Sequence, residues 1–202
     1  MPGIMQRLRS QTRDRHVQLE HTVDLRSRFE SREGYRDLLR RMLGLHGPLE
    51  QALLRLDWSG TAIDLGERRK TAWLHQDLLA LNFSEREIEA IPVCVEIPEL
   101  TSVARGIGCL YVLEGSTLGG AVIARQLEKV LEIGTDQGAR FYASYGERLN
   151  LMWASFGAAA DAICDSAVAA DQACAAAHDT FACFEAWFRR DPGDRLPEER
   201  NT

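Results

Sequence analysis

The sequence has no CxxC pair among its five cysteines, no signal-peptide core and no uninterrupted apolar run of the about 20 residues that span a bilayer. It also lacks a basic excess, because 30 acidic residues against 24 basic ones give a formal net charge of −6. Runs of alternating β-branched residues, which would indicate strands, are missing as well. These absences argue against a zinc knuckle, a disulfide framework, a membrane protein and a nucleic-acid binder. We expect a reduced, cytoplasmic protein.

With 202 residues, of which 45% are hydrophobic, the chain is long enough to bury a core without cross-links. Almost every long segment has helical periodicity, so the predicted fold class is all-α, in a single domain over residues 1–190. A polar tail over 191–202 is predicted to be disordered. The expected helices are one from Ile4, one from Ser31 that Pro48 should kink, and segments at 65–81, 84–91, 103–131, 147–165 and 171–189.

Glycines interrupt the longest expected helix at Gly115, Gly119 and Gly120. A glycine inside a helix costs about 1 kcal/mol relative to alanine, so we expect a compensating role. Gly115 and Gly119 lie four residues apart and share a helix face, on which a flat cofactor or another helix could pack against bare backbone. Phosphate binding is disfavoured because the pattern is neither GxGxxG after a strand nor a P-loop. Ser116 has no GxSxG context and no triad partners, which disfavours a serine nucleophile.

The first expected helix carries a histidine on its apolar face. His16 shares that face with Ile4, Leu8, Thr12 and Leu19. The periodicity therefore predicts that His16 points inward.

A carboxylate follows this histidine by one helical turn, at Glu20. At that spacing it can hold one imidazole nitrogen protonated and leave the other to bind a metal. No other histidine has HExxH or paired-ligand spacing, so a metal site built only from side chains is disfavoured. One histidine suffices when a porphyrin already holds the metal, and Arg9, two turns before His16, would then meet a propionate. A satisfied core histidine and a solvated surface arginine remain the alternatives.

Two segments together resemble the biliverdin-producing heme oxygenases. They are Leu8-Arg9-x-x-Thr12-x-x-x-His16-x-x-x-Glu20 and Gly115-Ser-Thr-Leu-Gly119-Gly120, with the Tyr35…Leu49-Glu50 helix between them. The resemblance covers about residues 4–190, and the LEGSTLGG form is most similar to the bacterial branch often encoded beside bacterial phytochromes. It implies a heme oxygenase-like helical bundle that holds heme between a proximal helix and a kinked, glycine-rich distal helix.

The same resemblance assigns the site residues. It implies that His16 is the axial iron ligand, that Glu20 orients it and that Arg9 binds a propionate. The bare backbone of Gly115 and Gly119 would leave room for O₂ over the iron. The predicted set is His16 as metal ligand, Gly115, Ser116 and Gly119 as catalytic residues, and Arg9, Thr12, Glu20, Gly120, Phe181 and Phe184 as heme-binding residues. Phe188 would extend the aromatic wall, although core packing explains the three phenylalanines equally well.

Two positions depart from the family pattern. Many members carry an aspartate directly after the first distal glycine, where this chain has Ser116, whose hydroxyl can hold water but has no charge at neutral pH. The proton relay would then run through Ser116, Thr117, backbone carbonyls and ordered water. The basic partner of the second propionate is not evident, and Arg140 and Arg148 are the candidates.

The implied activity is O₂-dependent cleavage of heme, as both substrate and cofactor, to biliverdin, CO and ferrous iron. No flavin or nicotinamide motif is visible, so a ferredoxin or a reductase would be the external electron donor. We expect an acidic ferredoxin to dock on the arginine-rich N-terminal side, joined by Arg68, Arg69 and Lys70. A bacterial phytochrome would be the biliverdin acceptor.

Two alternatives remain open from the sequence. One is a heme-binding or heme-sequestering protein of the same fold that does not degrade heme, which Ser116 favours. The other is a helical bundle that binds no heme, in which His16 is a core residue.

Overall fold

The computed structural model describes residues 3–190. These residues contain ten α-helices, three short 3-10 helices and no strand, which confirms the predicted all-α class. The α-helices are α1 (Ile4–Val23), α2 (Leu25–Arg28), α3 (Arg32–Leu54), α4 (Thr71–Ala80), α5 (Glu85–Glu89), α6 (Val103–Gly115), α7 (Gly120–Leu131), α8 (Arg140–Ala143), α9 (Leu149–Ile163) and α10 (Ala167–Arg189). The 3-10 helices are Gly66–Arg68, Thr135–Gln137 and Gly146–Arg148. The tail predicted at 191–202 lies outside the described residues.

Side-chain caps begin the helices where the sequence predicted them. Ser31 accepts the backbone N–H of Gly34 at 3.0 Å at the start of α3. Ser84 and Glu87 form a reciprocal capping box at the start of α5. Because these side chains satisfy backbone donors that have no intrahelical partner, they fix where each helix begins.

Two long expected helices differ from the structure. The helix predicted over 65–81 begins only at Thr71, because the Glu50 carboxylate of α3 accepts the backbone N–H groups of Lys70 and Thr71 at 2.6 and 3.1 Å. The helix predicted over 103–131 is broken between Gly115 and Gly120. The three glycines therefore lie at helix ends, where the cost of an interior glycine does not apply.

Pro48 lies inside α3, which continues through it. Proline has no N–H to donate to the carbonyl four residues earlier, at Gly44. That carbonyl instead accepts the N–H of Cys94 at 2.8 Å. The Gly44 carbonyl, which Pro48 leaves without a helical donor, thus attaches the segment after α5 to α3.

The last helix is the scaffold on which the site is built. α10 packs against both α6 and α1, and α1 also packs against α9. α6 approaches α10 closely through Gly108, where a Cβ would overlap the carbonyl of Ala173. α1 is fixed at its start by the Ile4 N–H, which donates to the Asp161 carboxylate of α9 at 2.9 Å.

All five cysteines are buried free thiols. Cys109 is fully buried, and burial raises the pKa of its thiol to about 12, so it behaves as a small core side chain. Within residues 3–190 no group of three or more His, Cys, Asp and Glu side chains is placed to hold a metal ion.

One stretch meets the length and hydropathy criteria of a membrane span, although the sequence predicted none. Val103–Leu131 is 29 residues long, and its most apolar window of 18 residues has a mean hydropathy of 1.5. Half of its most apolar window is buried inside the protein, and the break after Gly115 divides it. The core helix of a soluble protein meets the same criteria.

Candidate active site

A cavity of about 700 Å³ lies between α1, α6, α9 and α10, a size typical of small-molecule sites. Its wall includes seven of the predicted site residues, which are Arg9, Thr12, His16, Gly115, Ser116, Phe181 and Phe184. The two predicted helical segments therefore meet at one cavity, although they are distant in the sequence.

His16, which was predicted to point inward, lies on the cavity wall with 56% of its side chain exposed, so it faces the cavity rather than packed core side chains. The apolar face of α1 is buried at Leu8 and Thr12. At His16, one turn further along, the same face borders the cavity rather than packed side chains. The imidazole stands edge-on to Phe181, with ring centroids 6.0 Å apart. Its Nδ1 lies 3.5 Å from Oε1 of Glu20, itself 65% exposed, which leaves Nε2 as the nitrogen available to a ligand.

Polar groups of α1 and α6 gather on the same wall. Thr12 is buried and donates its hydroxyl to the Leu8 carbonyl at 2.8 Å. Arg9 and Arg13 are exposed cations that border the cavity one helical turn apart. Burial raises the pKa of Tyr111, whereas the Thr12 hydroxyl and the charge of Arg9 oppose that rise.

The two arginines predicted for a second propionate lie elsewhere. Arg140 stacks over Trp73, with its guanidinium carbon 5.7 Å from a ring centroid, and Arg148 pairs with Glu67 at 3.2 Å. Neither borders the cavity, so this prediction is wrong. Sequence reasoning missed Arg13 and Tyr111, which the one-turn spacings from Arg9 and Gly115 could have indicated.

The broken helix gives the distal wall its open backbone. A Cβ added to Gly115 would meet no atom within 4 Å, so this residue faces open space. Ser116 is exposed, and its hydroxyl donates to the Leu113 carbonyl at 2.7 Å. Gly119 also faces open space but does not border the cavity. Gly120 is buried, and a Cβ there would overlap the Tyr142 carbonyl, so its bare backbone serves helix packing.

The aromatic wall is shorter than predicted. Phe181 and Phe184 border the cavity and are otherwise buried. Phe188 does not reach the cavity, because it is buried beneath Arg41, with the guanidinium carbon 5.1 Å from its ring centroid. Trp153 of α9 lies on the wall instead.

Two of the cations predicted to join a docking surface point inward. Arg68 is 6% exposed and Lys70 is fully buried, so neither can contact a partner, and this part of the docking prediction is wrong. Both pair with Glu114, the residue before Gly115, at 2.9 and 2.8 Å. Only Arg69, whose side chain is 44% exposed, remains accessible among the three.

A second histidine is enclosed near the cavity. His46 of α3 is fully buried between Phe141 and Phe184, and among the described residues neither ring nitrogen has a hydrogen-bond partner. Burial lowers the pKa of His46 to about 3, with a smaller contribution from the charge of Lys70. This imidazole is therefore neutral at physiological pH.

The heme oxygenase family model matches residues 3–190. The chain belongs to the heme oxygenase family. A protein named heme oxygenase from Xanthomonas campestris pv. campestris is 38% identical over 97 residues. That match spans 47% of this chain and 53% of the Xanthomonas protein, about half the length of each.

Solved structures of heme oxygenases share the fold. The protein from Neisseria meningitidis, described with NO and CO bound, has a TM-score of 0.76 at 23% identity and covers 94% of this chain and 92% of its own. The protein from Leptospira interrogans has a TM-score of 0.75 at 17% identity, covering 93% and 98%. Heme oxygenase-1 from the cyanobacterium Synechocystis, in complex with heme, has a TM-score of 0.73 at 14% identity, covering 93% and 91%. At these identities the likeness shows the fold.

The residues of this family member fit heme. The cavity has one imidazole with a free Nε2, a backbone wall that a Cβ at Gly115 would fill, and cations at Arg9 and Arg13 for carboxylates. Apolar and aromatic side chains cover much of the remaining wall, as a porphyrin requires.

Proposed function

We propose that the protein cleaves heme with O₂ and externally supplied electrons to biliverdin, CO and ferrous iron. The observation that carries the proposal is the shared cavity, on whose wall the imidazole of His16 and the bare backbone of Gly115 both lie. Bound heme supplies the iron at which O₂ is activated. The chain has to ligate and orient that heme, leave room above it and control protons.

We assign ligation to His16, with Glu20 as the group that orients the imidazole. The carboxylate near Nδ1 favours the tautomer whose Nε2 lone pair points to the ligand. Phe181 limits rotation of the ring from the side. The His16 side chain, which is exposed in the heme-free protein, would be covered by heme when its iron is bound.

Orientation of the heme within the cavity falls to the polar groups of α1. Arg9 and Arg13 carry the positive charge that the two propionates require, and Tyr111 offers a hydroxyl on the same wall. Thr12 is uncharged, and its hydroxyl is hydrogen-bonded to the Leu8 carbonyl of the preceding turn of α1, so it supports the helix rather than binding a propionate. Phe181 and Phe184 would offer apolar surface to the porphyrin from the cavity wall.

We assign the room above the heme to the bare backbone of Gly115 and proton control to Ser116. Gly119 and Gly120, which do not border the cavity, form the start of α7. The Ser116 hydroxyl already donates to Leu113, so it presents lone pairs to the cavity and accepts a hydrogen bond from water. Thr117 is satisfied in the same way by the Glu114 carbonyl, at 2.6 Å. We therefore propose that a water molecule held at Ser116, and no ionised side chain, passes protons to the distal side.

The electron donor in this proposal is an acidic ferredoxin or a reductase that docks on the exposed arginines of the N-terminal side. Arg15→Glu combined with Arg26→Glu should slow ferredoxin-driven turnover and weaken its salt dependence, while turnover with ascorbate stays unchanged. Equal ferredoxin-driven rates in the variant and the wild type would contradict this docking surface. We also propose that a bacterial phytochrome receives the biliverdin in the cytoplasm, and the LEGSTLGG form supports the link to a phytochrome.

The experiment that tests the function starts from the purified protein titrated with heme. A Soret band should appear at one equivalent and be lost in the His16→Ala variant. Addition of ascorbate in air should convert that band to a biliverdin spectrum. A Soret band that persists would support a heme carrier, and an unchanged spectrum in His16→Ala would support another ligand.

A further inference from the structure

Behind the distal wall lies a buried carboxylate with three side-chain donors. Glu114 is 1% exposed, and its Oε2 accepts from Arg68 at 2.9 Å. Its Oε1 accepts from Lys70 at 2.8 Å and from the Tyr145 hydroxyl at 2.7 Å. Lys70 also donates to the Tyr145 oxygen and to the Arg68 carbonyl, so all three of its protons are used. We call these four residues the Glu114 cluster.

The cluster joins parts of the chain that are far apart in sequence. Arg68 reaches α9 through Ser155 at 2.9 Å and the Met152 carbonyl at 3.3 Å. Tyr145 comes from the segment between α8 and α9, and Lys70 directly precedes α4. A single carboxylate on α6 therefore fixes that helix to two neighbouring segments directly, and to α9 through Arg68.

Glu114 is also the last residue before the distal glycine, and its backbone shapes the break. Its carbonyl accepts both the N–H of Thr117, at 3.1 Å, and the hydroxyl of Thr117, at 2.6 Å. Gly115 and Ser116 border the cavity, whereas the Glu114 side chain points away from it into the core. The same residue thus faces the cluster with its carboxylate and the turn with its carbonyl.

Because the Glu114 cluster is buried, each of its polar groups depends on its partners. Burial lowers the pKa of Lys70, and the Glu114 carboxylate opposes that shift through its charge and hydrogen bond. Burial likewise raises the pKa of Tyr145, so its hydroxyl remains a donor. Removal of one partner leaves the others charged and unpaired away from water, which costs more than the pair contributes.

We propose that Glu114 is a positioning residue that sets the place of the Gly115–Ser116 backbone on the cavity wall, acting through Arg68, Lys70 and Tyr145. It does not touch the cavity. The expected effect on turnover rests on the proposed heme oxygenase function, whereas the effect on the backbone does not.

Hydrogen exchange in the heme-free protein tests the positioning itself. Tyr145→Phe removes one donor without removing a charge. It should raise the exchange rates of the Ser116, Thr117, Leu118 and Gly120 amides roughly tenfold, the effect of losing about one buried hydrogen bond. Glu67→Gln is the matched control, because Glu67 lies in the same segment as Arg68 but its ion pair is exposed.

A second variant covers the case in which a single charge change prevents folding. Lys70→Met combined with Glu114→Gln removes one positive and one negative charge, so the net charge of the cluster is unchanged. It should fold and show faster exchange at the same amides. In heme turnover both variants should lower kcat with little change in KM, because the reacting groups shift while the α1 contacts remain.

The proposal is overturned if exchange at those amides matches the control in both variants while amides elsewhere accelerate. That result would give the Glu114 cluster a general role in stability only. A wild-type protein that binds heme without converting it would refute the proposed function instead, and the exchange experiment would still decide the positioning role.

Discussion

Nδ1 of His16 lies 3.5 Å from Oε1 of Glu20 on the exposed side of α1, at the border of the cavity. The pair follows from i,i+4 spacing alone, yet its setting does not, because the histidine borders the cavity instead of lying in packed core. Because the two side chains are separate groups, the contribution of the Glu20 carboxylate to heme binding can be measured separately from that of the His16 imidazole.

Glu20→Gln should weaken heme binding by up to about tenfold without abolishing it, because the amide cannot favour the same tautomer as strongly as a carboxylate. The measurement is a Soret titration of the two proteins. Asp14→Asn removes an exposed carboxylate from the same helix and serves as the control. Equal weakening in both variants would indicate a general charge effect and contradict the orienting role.

The two glycines that flank the distal break should respond in opposite ways to alanine. Gly115→Ala places a methyl group in open space and restricts the unfolded chain, so the free energy of unfolding should stay unchanged or rise by up to about 1 kcal/mol. Gly120→Ala meets the Tyr142 carbonyl and should destabilise the protein by about 1–3 kcal/mol. Urea denaturation without heme measures both.

In heme turnover the order of the two variants should reverse, so that Gly115→Ala is the more damaging substitution. Gly115→Ala should lose at least about tenfold in turnover because the methyl group occupies the space over the substrate. Full activity in Gly115→Ala would contradict the assignment of its backbone to the distal wall.

Arg9→Gln should lower heme affinity by roughly fivefold to tenfold, as expected for one partly exposed charge-assisted hydrogen bond. The same variant should bind heme dimethyl ester as well as the wild type does, because the ester lacks the carboxylates. Arg140→Gln, whose guanidinium lies over Trp73, is the control and should change neither affinity. An Arg9 effect of equal size on the ester would exclude a propionate contact.

His46 should make the protein sensitive to acid. The unfolded chain takes up a proton on this histidine near pH 6.5, whereas the folded chain does so only near pH 3. Its stabilising contribution is thus complete above pH 6.5 and falls as the pH decreases, by about 2 kcal/mol between pH 6.5 and 5.

The contribution of His46 is measured as the difference between the stability–pH profiles of the wild type and of a variant, because other groups titrate in the same range. Burial raises the pKa of Asp77 to about 6, which increases stability as the pH falls. The wild type should therefore lose more stability than His46→Leu over this range, with His21→Gln, at an exposed histidine, behaving as the wild type. Parallel pH profiles for His46→Leu and the wild type would contradict a buried neutral imidazole.

Local patterns predicted the helical class and the caps at Ser31 and Ser84, whereas the family resemblance implied which residues meet at the cavity. The break after Gly115 was not evident from periodicity, because the helical pattern of 103–131 runs on both sides of it. The contacts of Glu114 and Gly120 with other segments, which accompany the turn, leave no local pattern. The family resemblance, in contrast, implied a kink there.

The positions of charged residues were the least predictable part. Lys70 was expected at the surface from its residue type, and its burial depends on Glu114 and Tyr145, which lie 44 and 75 positions away in the chain. Arg140 was a propionate candidate on sequence grounds, yet the cavity lies elsewhere. Such long-range ion pairs leave no local pattern.

The most direct test of heme oxygenase activity is a turnover experiment with catalase present, which removes the free hydrogen peroxide that degrades heme nonenzymatically. The heme complex is supplied with a ferredoxin and its reductase in air, and the products are identified by chromatography and by CO capture. We predict about one biliverdin and one CO per heme in the wild type, in the stoichiometry of an enzyme-bound single turnover, and neither product in His16→Ala. Intact heme in the wild type, or equal yields from both proteins, would contradict a heme oxygenase that uses His16 as its ligand.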